Sequence, residues 1–255
     1  FIRTVLATDC ADLIYIEFFT AGAELPALIE EAHTAGAAVV CSSHDFHKTP
    51  PRAELVSRMV AMQQAGADLP KLAVMPQSRT DVLELLAATA EMADRHPETP
   101  IIIAWFEIKP FVVKGNNLIY SPHFYKPDDY TAQSVRQYRL NWRYPGFIQG
   151  IYWDKEQLRN AMREIIEFQK KHGVKIYVGE FSVVSWAPGG AQYLKDCMEL
   201  FEEYGWDWSY HAFREWAGWS VEHAGSTRKT IRRIGDTDRK QVLLDFLKRN
   251  KETHR

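Results

Sequence analysis

Seven short runs of apolar, β-branched and aromatic residues alternate along this chain with segments of helical spacing. That alternation restricts its fold more than anything else in the sequence. The runs Leu13–Phe19, Ala38–Ser42, Lys71–Met75, Ile101–Trp105, Leu118–Ser121, Lys175–Gly179 and Trp208–Phe213 read as strands. Between them the spacing predicts helices over Pro26–Ala35, Arg52–Ala65, Asp81–Asp94, Lys155–His172, Ala191–Tyr204 and Lys240–Lys248. The punctuation agrees: Gly36, Gly66 and Gly173 close three helices, Pro76 stops a strand, and Ser78 stands where it can cap the helix that follows.

Continuously apolar strands separated by helices of about three turns predict a parallel sheet covered on both faces. Residues able to do chemistry fall at the C-terminal ends of strands: Glu17, His44, His123 and Glu180. Active sites of (β/α)8 barrels sit at that end. The expected fold is therefore α/β, a (β/α)8 TIM barrel forming one domain over residues 1–255, rather than an open doubly wound sheet. No Gly-rich phosphate loop follows any strand, which weighs against a dinucleotide-binding fold. A closed barrel needs eight strands, and seven are readable. Phe1–Cys10 reads as the helix that should follow a missing strand. The gap has three readings: a preceding piece lies outside the sequence, Phe1–Leu6 is itself a short strand, or a partner chain fills it in a homo-oligomer.

Composition narrows the partners. At 255 residues and 46% hydrophobic the chain can bury one large core. A formal net charge of -2 gives no reason to expect nucleic acid or an anionic membrane surface as partner. No apolar run approaches the roughly 20 residues needed to span a bilayer. Three cysteines, Cys10, Cys41 and Cys197, are odd in number and lack metal-site spacing, so reduced buried thiols and a cytoplasmic chain are expected. No signal peptide is visible, although the start at Phe1 is abrupt and fits a trimmed chain as well.

Three segments of the first hundred residues carry a resemblance. Ala11–Phe19 (ADLIYIEFF), Ser42–Pro50 (SSHDFHKTP) and Ala67–Ser78 (ADLPKLAVMPQS) resemble type I 3-dehydroquinate dehydratases, in family order. The resemblance implies that Lys71 forms a Schiff base with a ketone, that His44 moves protons, and that Glu17 is a polar pocket residue. The chemistry fits the residue types. A lysine on a buried strand is desolvated, which frees its amine as a nucleophile, and a neighbouring histidine serves as acid and base near neutral pH. This chain departs from the family at Tyr15, where an aspartate is usual, and at Ser43, where an asparagine is usual. It also lacks a matching C-terminal arginine to grip a substrate carboxylate, a bidentate contact that an anionic substrate needs.

The remainder resembles another family. Asn117–Tyr130 (NLIYSPHFYKPDDY), Tyr152–Leu158 (YWDKEQL), Ile176–Pro188 (IYVGEFSVVSWAP) and Trp206–His223 (WDWSYHAFREWAGWSVEH) resemble the cellulase-type family-five glycoside hydrolases. The resemblance implies that Glu180 is the nucleophile, that His123 and Tyr125 flank and orient it, and that Trp216 stacks on a sugar ring. A retaining glycosidase needs a second carboxylate as acid/base. In the family this lies in an Asn-Glu-Pro motif ending the fourth strand, and no such motif occurs here. If the cellulase-like strands keep positions five to eight, the fourth strand is Lys71–Met75 and Met75-Pro76 sits at that place.

The two resemblances meet near Trp105, so a chimeric barrel is expected, with dehydratase-like βα units over 1–103 and cellulase-like units over 104–255. Natural recombination is one reading, but the abrupt junction and the replacements at Tyr15 and Ser43 inside one parent's pocket suggest deliberate assembly. A hybrid pocket shared by Lys71, His44 and Glu180, with little native activity, is the expected function. Its nearest label is a glycoside hydrolase acting on an oligosaccharide or other small molecule, and a Schiff-base lyase or aldolase-like catalyst using Lys71 and His44 is the alternative. No cofactor and no metal are expected. His47, Lys48, Asp128, Asp129 and Arg228–Arg233 read as solvated surface. His33, His172, His211 and His223 read as surface or capping groups, and Glu107 as a loop carboxylate. Trp142, Trp153, Trp186, Trp206 and Trp208 read as core or rim packing.

Overall fold

The computed structural model describes residues 2–7, 11–105, 118–135, 141–212 and 216–253. The chain divides into two compact units. The first runs to Ala104 and takes in the start of the fifth strand up to Tyr120, and the second runs from Ser121 onward.

In the first unit a short helix α1 (Ile2–Leu6) precedes β1 (Leu13–Glu17), α2 (Phe18–Ala21), a 3-10 turn (Gly22–Glu24), α3 (Leu25–Thr34), β2 (Ala38–Asp45), α4 (Arg52–Gln64), β3 (Leu69–Val74), α5 (Arg79–Arg95) and β4 (Ile101–Trp105). Each strand pairs in parallel with the next one in the chain. The core is Ile14, Ile16, Val39, Cys41 and Leu72 from the strands, with Leu25, Ile29, Leu55, Met59, Met62 and Met92 from the helices, all buried. Side chains alternate along a strand, so register fixes which residues share a face. Glu17 pairs with Ser42, Ser42 with Lys71, and His44 with Ala73. Glu17, Ser42, His44 and Lys71 therefore occupy one face of this sheet, with Ser43 and Leu72 on the other.

The strand predicted over Leu13–Phe19 stops at Glu17, and Phe18 opens a helix instead. The ladder ends there because Glu17 is the last residue of β1 paired with β2. Beyond it Phe19 has no sheet to cover it and is exposed. The helix predicted from Asp81 begins at Arg79, because Ser78 is its cap: the Ser78 hydroxyl accepts from the Asp81 N–H at 3.2 Å. Phe1–Cys10 is helical over Ile2–Leu6, where Arg3 makes a bidentate surface pair with Glu31.

The second unit continues with β5 (Leu118–Phe124), α6 (Asp128–Thr131), a hairpin of β6 (Gly146–Ile148) and β7 (Ile151–Trp153), α7 (Lys155–Ala161), α8 (Arg163–His172), β8 (Lys175–Phe181), α9 (Gly190–Glu203), β9 (Asp207–Tyr210), the short pair β10 (His223–Ala224) and β11 (Arg232–Arg233), and α10 (Asp238–Thr253). β8 and β9 are parallel, with an irregularity between Val178 and Phe181. α9 buries Leu194, Cys197, Met198, Leu200 and Phe201. Cys41 and Cys197 are free and buried, and Cys10 lies outside the described residues. No described helix is long and apolar enough to cross a membrane.

Two expectations are corrected here. The single helix over Lys155–His172 is two, broken at Met162, whose buried backbone N–H is shared between the Leu158 and Arg159 carbonyls in a tightened turn. The strand predicted over Trp208–Phe213 is Asp207–Tyr210, and Phe213 lies outside the described residues. The β6–β7 hairpin was not anticipated. Its signal was two short apolar runs separated by Gln149-Gly150, both at positive φ, the two-residue loop that suits a twisted hairpin.

Candidate active site

The site residues expected from the sequence form two constellations, each described within its own unit. In the first, Glu17 at the end of β1 is the hub. Its Oε2 accepts from the Ser42 hydroxyl at 2.6 Å and lies 2.7 Å from His44 Nδ1, while Oε1 accepts from the His44 backbone N–H at 3.1 Å. Burial pushes the Glu17 carboxyl up, but the hydrogen bonds from His44 and Ser42 outweigh it and hold the group below the usual carboxylate range. Lys71, in the middle of β3, is wholly buried, and its Nζ lies 4.9 Å from the centroid of the Tyr15 ring, a cation–π contact. Phe46 stacks on the His44 ring at 5.7 Å.

Ser43 does not belong to this group. It was read as a pocket replacement, but it points from the other face of β2, where it is buried and accepts from Arg58 Nη1 of α4 at 3.2 Å. The two-residue period of a strand separates it from His44.

The depressed Glu17 carboxyl has a measurable consequence. A carboxyl whose folded pKa lies below its unfolded value, about 4.3, stabilises the fold above that value. The contribution is lost as pH falls through the folded pKa. Urea unfolding at pH 7 and at pH 3 is expected to show a smaller acid loss of stability for Glu17→Gln than for the parent chain. Equal losses would mean that Glu17 is not held in its ionised form by the fold.

In the second constellation Tyr125, His123 and His211, among the described residues, approach Glu180 near the end of β8. The Tyr125 hydroxyl donates to Glu180 Oε2 at 3.1 Å and also lies 3.1 Å from His211 Nδ1. His123 Nδ1 stands 3.5 Å from Glu180 Oε2, and His211 Nδ1 stands 3.9 Å from it. Gly179 makes this approach feasible. A Cβ there would lie 2.4 Å from the Ser121 hydroxyl and 3.4 Å from His123 Nε2, so only glycine lets β5 come so close. Tyr177 donates to Ser209, which donates to the Gly179 carbonyl. Burial, with the nearby Glu180 charge, pushes the Tyr177 phenol up to about 12 against the Ser209 hydrogen bond, so it stays protonated.

His211 was read as a surface or capping group, and the structure corrects this. It is the first residue past β9, and the parallel pairing of β9 with β8 brings it beside Glu180. Its signal was its place: a histidine just beyond a strand end, where barrel chemistry collects. The other three behave as expected. His33 pairs with Asp68 at the surface, His172 leans on Phe168, and His223 meets the Ser220 hydroxyl.

An aromatic wall follows. Trp219 lies 5.7 Å from Tyr125, Trp216 lies 5.4 Å from Trp219, and Trp186 meets Trp216 edge-on at 6.0 Å. Trp219, not singled out in the sequence, thus stands between Trp216 and the Glu180 group. Gly218 turns so tightly against the Trp216 ring that a Cβ would lie 2.2 Å from it. The wall is fixed from behind by Arg239 at the start of α10. Arg239 is buried and donates to the backbone carbonyls of Val183 at 3.3 Å, Ser220 at 2.9 Å and His223 at 2.7 Å. Among the described residues no group of three or more His, Cys, Asp or Glu is placed to hold a metal ion. Glu107 lies outside the described residues.

Residues 92–224, more than half of the chain, match the family model of cellulase, glycosyl hydrolase family 5. The chain belongs to glycosyl hydrolase family 5. Residues 1–105 of this family 5 chain also match type I 3-dehydroquinase. The 3-dehydroquinate dehydratase of Clostridium kluyveri is 52% identical over 101 residues, covering 39% of this chain and 40% of that protein. That of Salmonella paratyphi B is 48% identical over 100 residues, covering 39% and 40%. The chain thus spans about two fifths of the length of these curated relatives. Among solved structures, endoglucanase Cel5A from the hyperthermophilic Thermotoga maritima superposes with a TM-score of 0.72 at 19% identity, over 96% of this chain and 88% of that one. Cellulose synthase subunit Z from Clostridioides difficile gives 0.68 at 17%, over 95% and 91%. At such identities the likeness is one of fold, the α/β barrel of family 5.

Proposed function

We propose that this chain is a recombined barrel whose Glu180 centre cleaves activated β-glycosides by the retaining route, with little activity on unactivated β-glucans. The observation that carries this reading is Glu180 itself, a carboxylate held toward a tryptophan wall by Tyr125, His123 and His211. A nucleophile must be fixed within bonding reach of the sugar carbon, and an aromatic wall suits the apolar face of a pyranose. The overlap of the two family matches over residues 92–105 supports a join at β4.

The limit on activity follows from leaving-group chemistry. A dinitrophenolate departs without a proton, whereas a sugar alkoxide needs one, and general acid help is worth about 10²–10⁴-fold. With the Asn-Glu-Pro carboxylate missing from the sequence, 2,4-dinitrophenyl β-cellobioside is expected to be hydrolysed slowly and cellulose barely at all. Robust turnover of cellulose would overturn the limit, and failure on the aryl substrate would overturn the hydrolase reading.

A second reading is favoured by Lys71, a buried amine on the same strand face as the Glu17–His44 pair. We propose that it is a weak Schiff-base centre, hindered by the Tyr15 ring over Nζ. Borohydride trapping of a small aldehyde is expected to label Lys71 slowly, and faster in Tyr15→Ala. Trapping at the same rate in both would remove the role given to Tyr15.

A further inference from the structure

We infer that Arg228 is a specificity residue, one that gives the tryptophan wall a preference for saccharides carrying a carboxylate. This rests on the reading of that wall as a sugar-binding surface.

A chain of contacts runs from Glu180 along the wall. Tyr125 donates to Glu180, Trp219 lies 5.7 Å from Tyr125, and Trp216 lies 5.4 Å from Trp219. Arg228 is the next contact, with its Cζ over the Trp216 ring at 5.9 Å from the centroid. The guanidinium is exposed, yet it is tethered. Nη1 donates to the Val135 carbonyl at 2.9 Å, so a hydrogen bond and the indole together hold the group in place. An arginine held in this way has already given up part of the side-chain freedom that binding a ligand would cost.

Its charge is not cancelled locally. Among the described residues no carboxylate pairs with Arg228, and the Val135 bond occupies one of the five N–H donors of a guanidinium. Glu222 and Asp236, which flank the loop carrying Arg228, are engaged by other cations. Glu222 meets Arg233 at 3.1 Å and Lys240 at 3.5 Å, and Asp236 meets Lys240 at 3.1 Å. Lys229 and Arg232 of the same loop are exposed and add to the positive field.

A planar guanidinium fork matches the two oxygens of a carboxylate, whereas a sugar hydroxyl gains nothing from its charge. Glu180 sets the other limit. Its carboxylate repels a second one placed beside it, so the sugar that reacts is neutral. The anionic group belongs on a sugar farther along the chain of contacts. The substrate class is therefore an oligosaccharide with one acidic sugar, at a position other than the one attacked.

The test is calorimetric titration of the whole chain with three tetrasaccharides. One is neutral cellotetraose, one carries a C6 carboxylate on its non-reducing sugar, and one is cellotetraonic acid, with the carboxylate at the opposite end. In about 20 mM salt one of the two acids is expected to bind about 3-fold tighter than the neutral sugar, the scale of an exposed ion pair. The advantage is expected to vanish in about 0.5 M salt, where screening is strong. Arg228→Gln is expected to remove it as well, and Arg228→Lys to keep part of it. No advantage for either acid in the parent chain, or no binding of any of the three, would overturn the inference. So would an advantage that survives in Arg228→Gln. Equal weakening of all three ligands in that variant, with the ratio between them kept, would assign Arg228 a merely structural part. Glu180→Ala on 2,4-dinitrophenyl β-cellobioside separates the two ideas. If that variant keeps the parent's rate, the hydrolase reading fails while the binding result stands. If it is inactive and the acids show no advantage, only the inference about Arg228 fails.

Discussion

Glu180→Ala is expected to abolish cleavage of 2,4-dinitrophenyl β-cellobioside, by roughly 10⁴-fold or more, the scale on which removal of a nucleophile acts. Azide is expected to restore turnover. Truncation leaves a cavity where the carboxylate stood, beside Tyr125 and His123, which otherwise hold the negative oxygen. A small anion can occupy that space and attack the sugar from the same side. The product is then an α-glycosyl azide, because one displacement inverts the centre that two displacements would retain. Chromatography or NMR of the product reads this directly. A β-azide, or an unchanged rate without azide, would show that Glu180 is not the attacking group.

The largest stability effect is expected at Gly189. It precedes α9 at φ +82, and a Cβ there would lie 1.7 Å from the Tyr144 carbonyl oxygen. That oxygen cannot swing away as the end of a flexible side chain would. The Tyr144 N–H donates to the Pro188 carbonyl at 3.1 Å, and its hydroxyl donates to the buried Asp196 at 2.6 Å. Gly189→Ala is therefore expected to cost about 3–5 kcal/mol, combining overpacking with an unfavourable φ. Gly173→Ala is the control. It also has positive φ, at +63, but no atom lies within 4 Å of its Cβ. Only the conformational cost of about 1–2 kcal/mol remains. Equal midpoints for the two variants in urea unfolding would show that the segment around Tyr144 yields.

The alternation of strands and helices was legible because it is a local property. Apolar runs, caps and closing glycines act within a few residues, so Ser78, Gly66 and Gly173 mark their helices in the structure much as the sequence suggested. Glu180, His123 and Tyr125 could be grouped because family motifs carried them. His211 could not, because its role depends on β9 lying beside β8, a contact between distant parts of the chain. Ser43 was misjudged for a related reason. Proximity to His44 in sequence means the opposite face once the segment is a strand. The break at Met162 left no residue signal, since the amphipathic spacing continues on both sides of it.

The contacts of Arg239 make the C-terminal helix more than a cover for α9. One guanidinium joins the segment leaving β8 to the segment carrying the tryptophan wall, by three carbonyls that nothing but a planar, multiply donating cation could satisfy together. It works as a buckle whose tongue is the last helix. Removing α10 with Arg239 would first loosen the tryptophan wall, well before the strands beneath it lost their pairing. Any redesign that cuts into the start of this helix would be pulling on the wall itself.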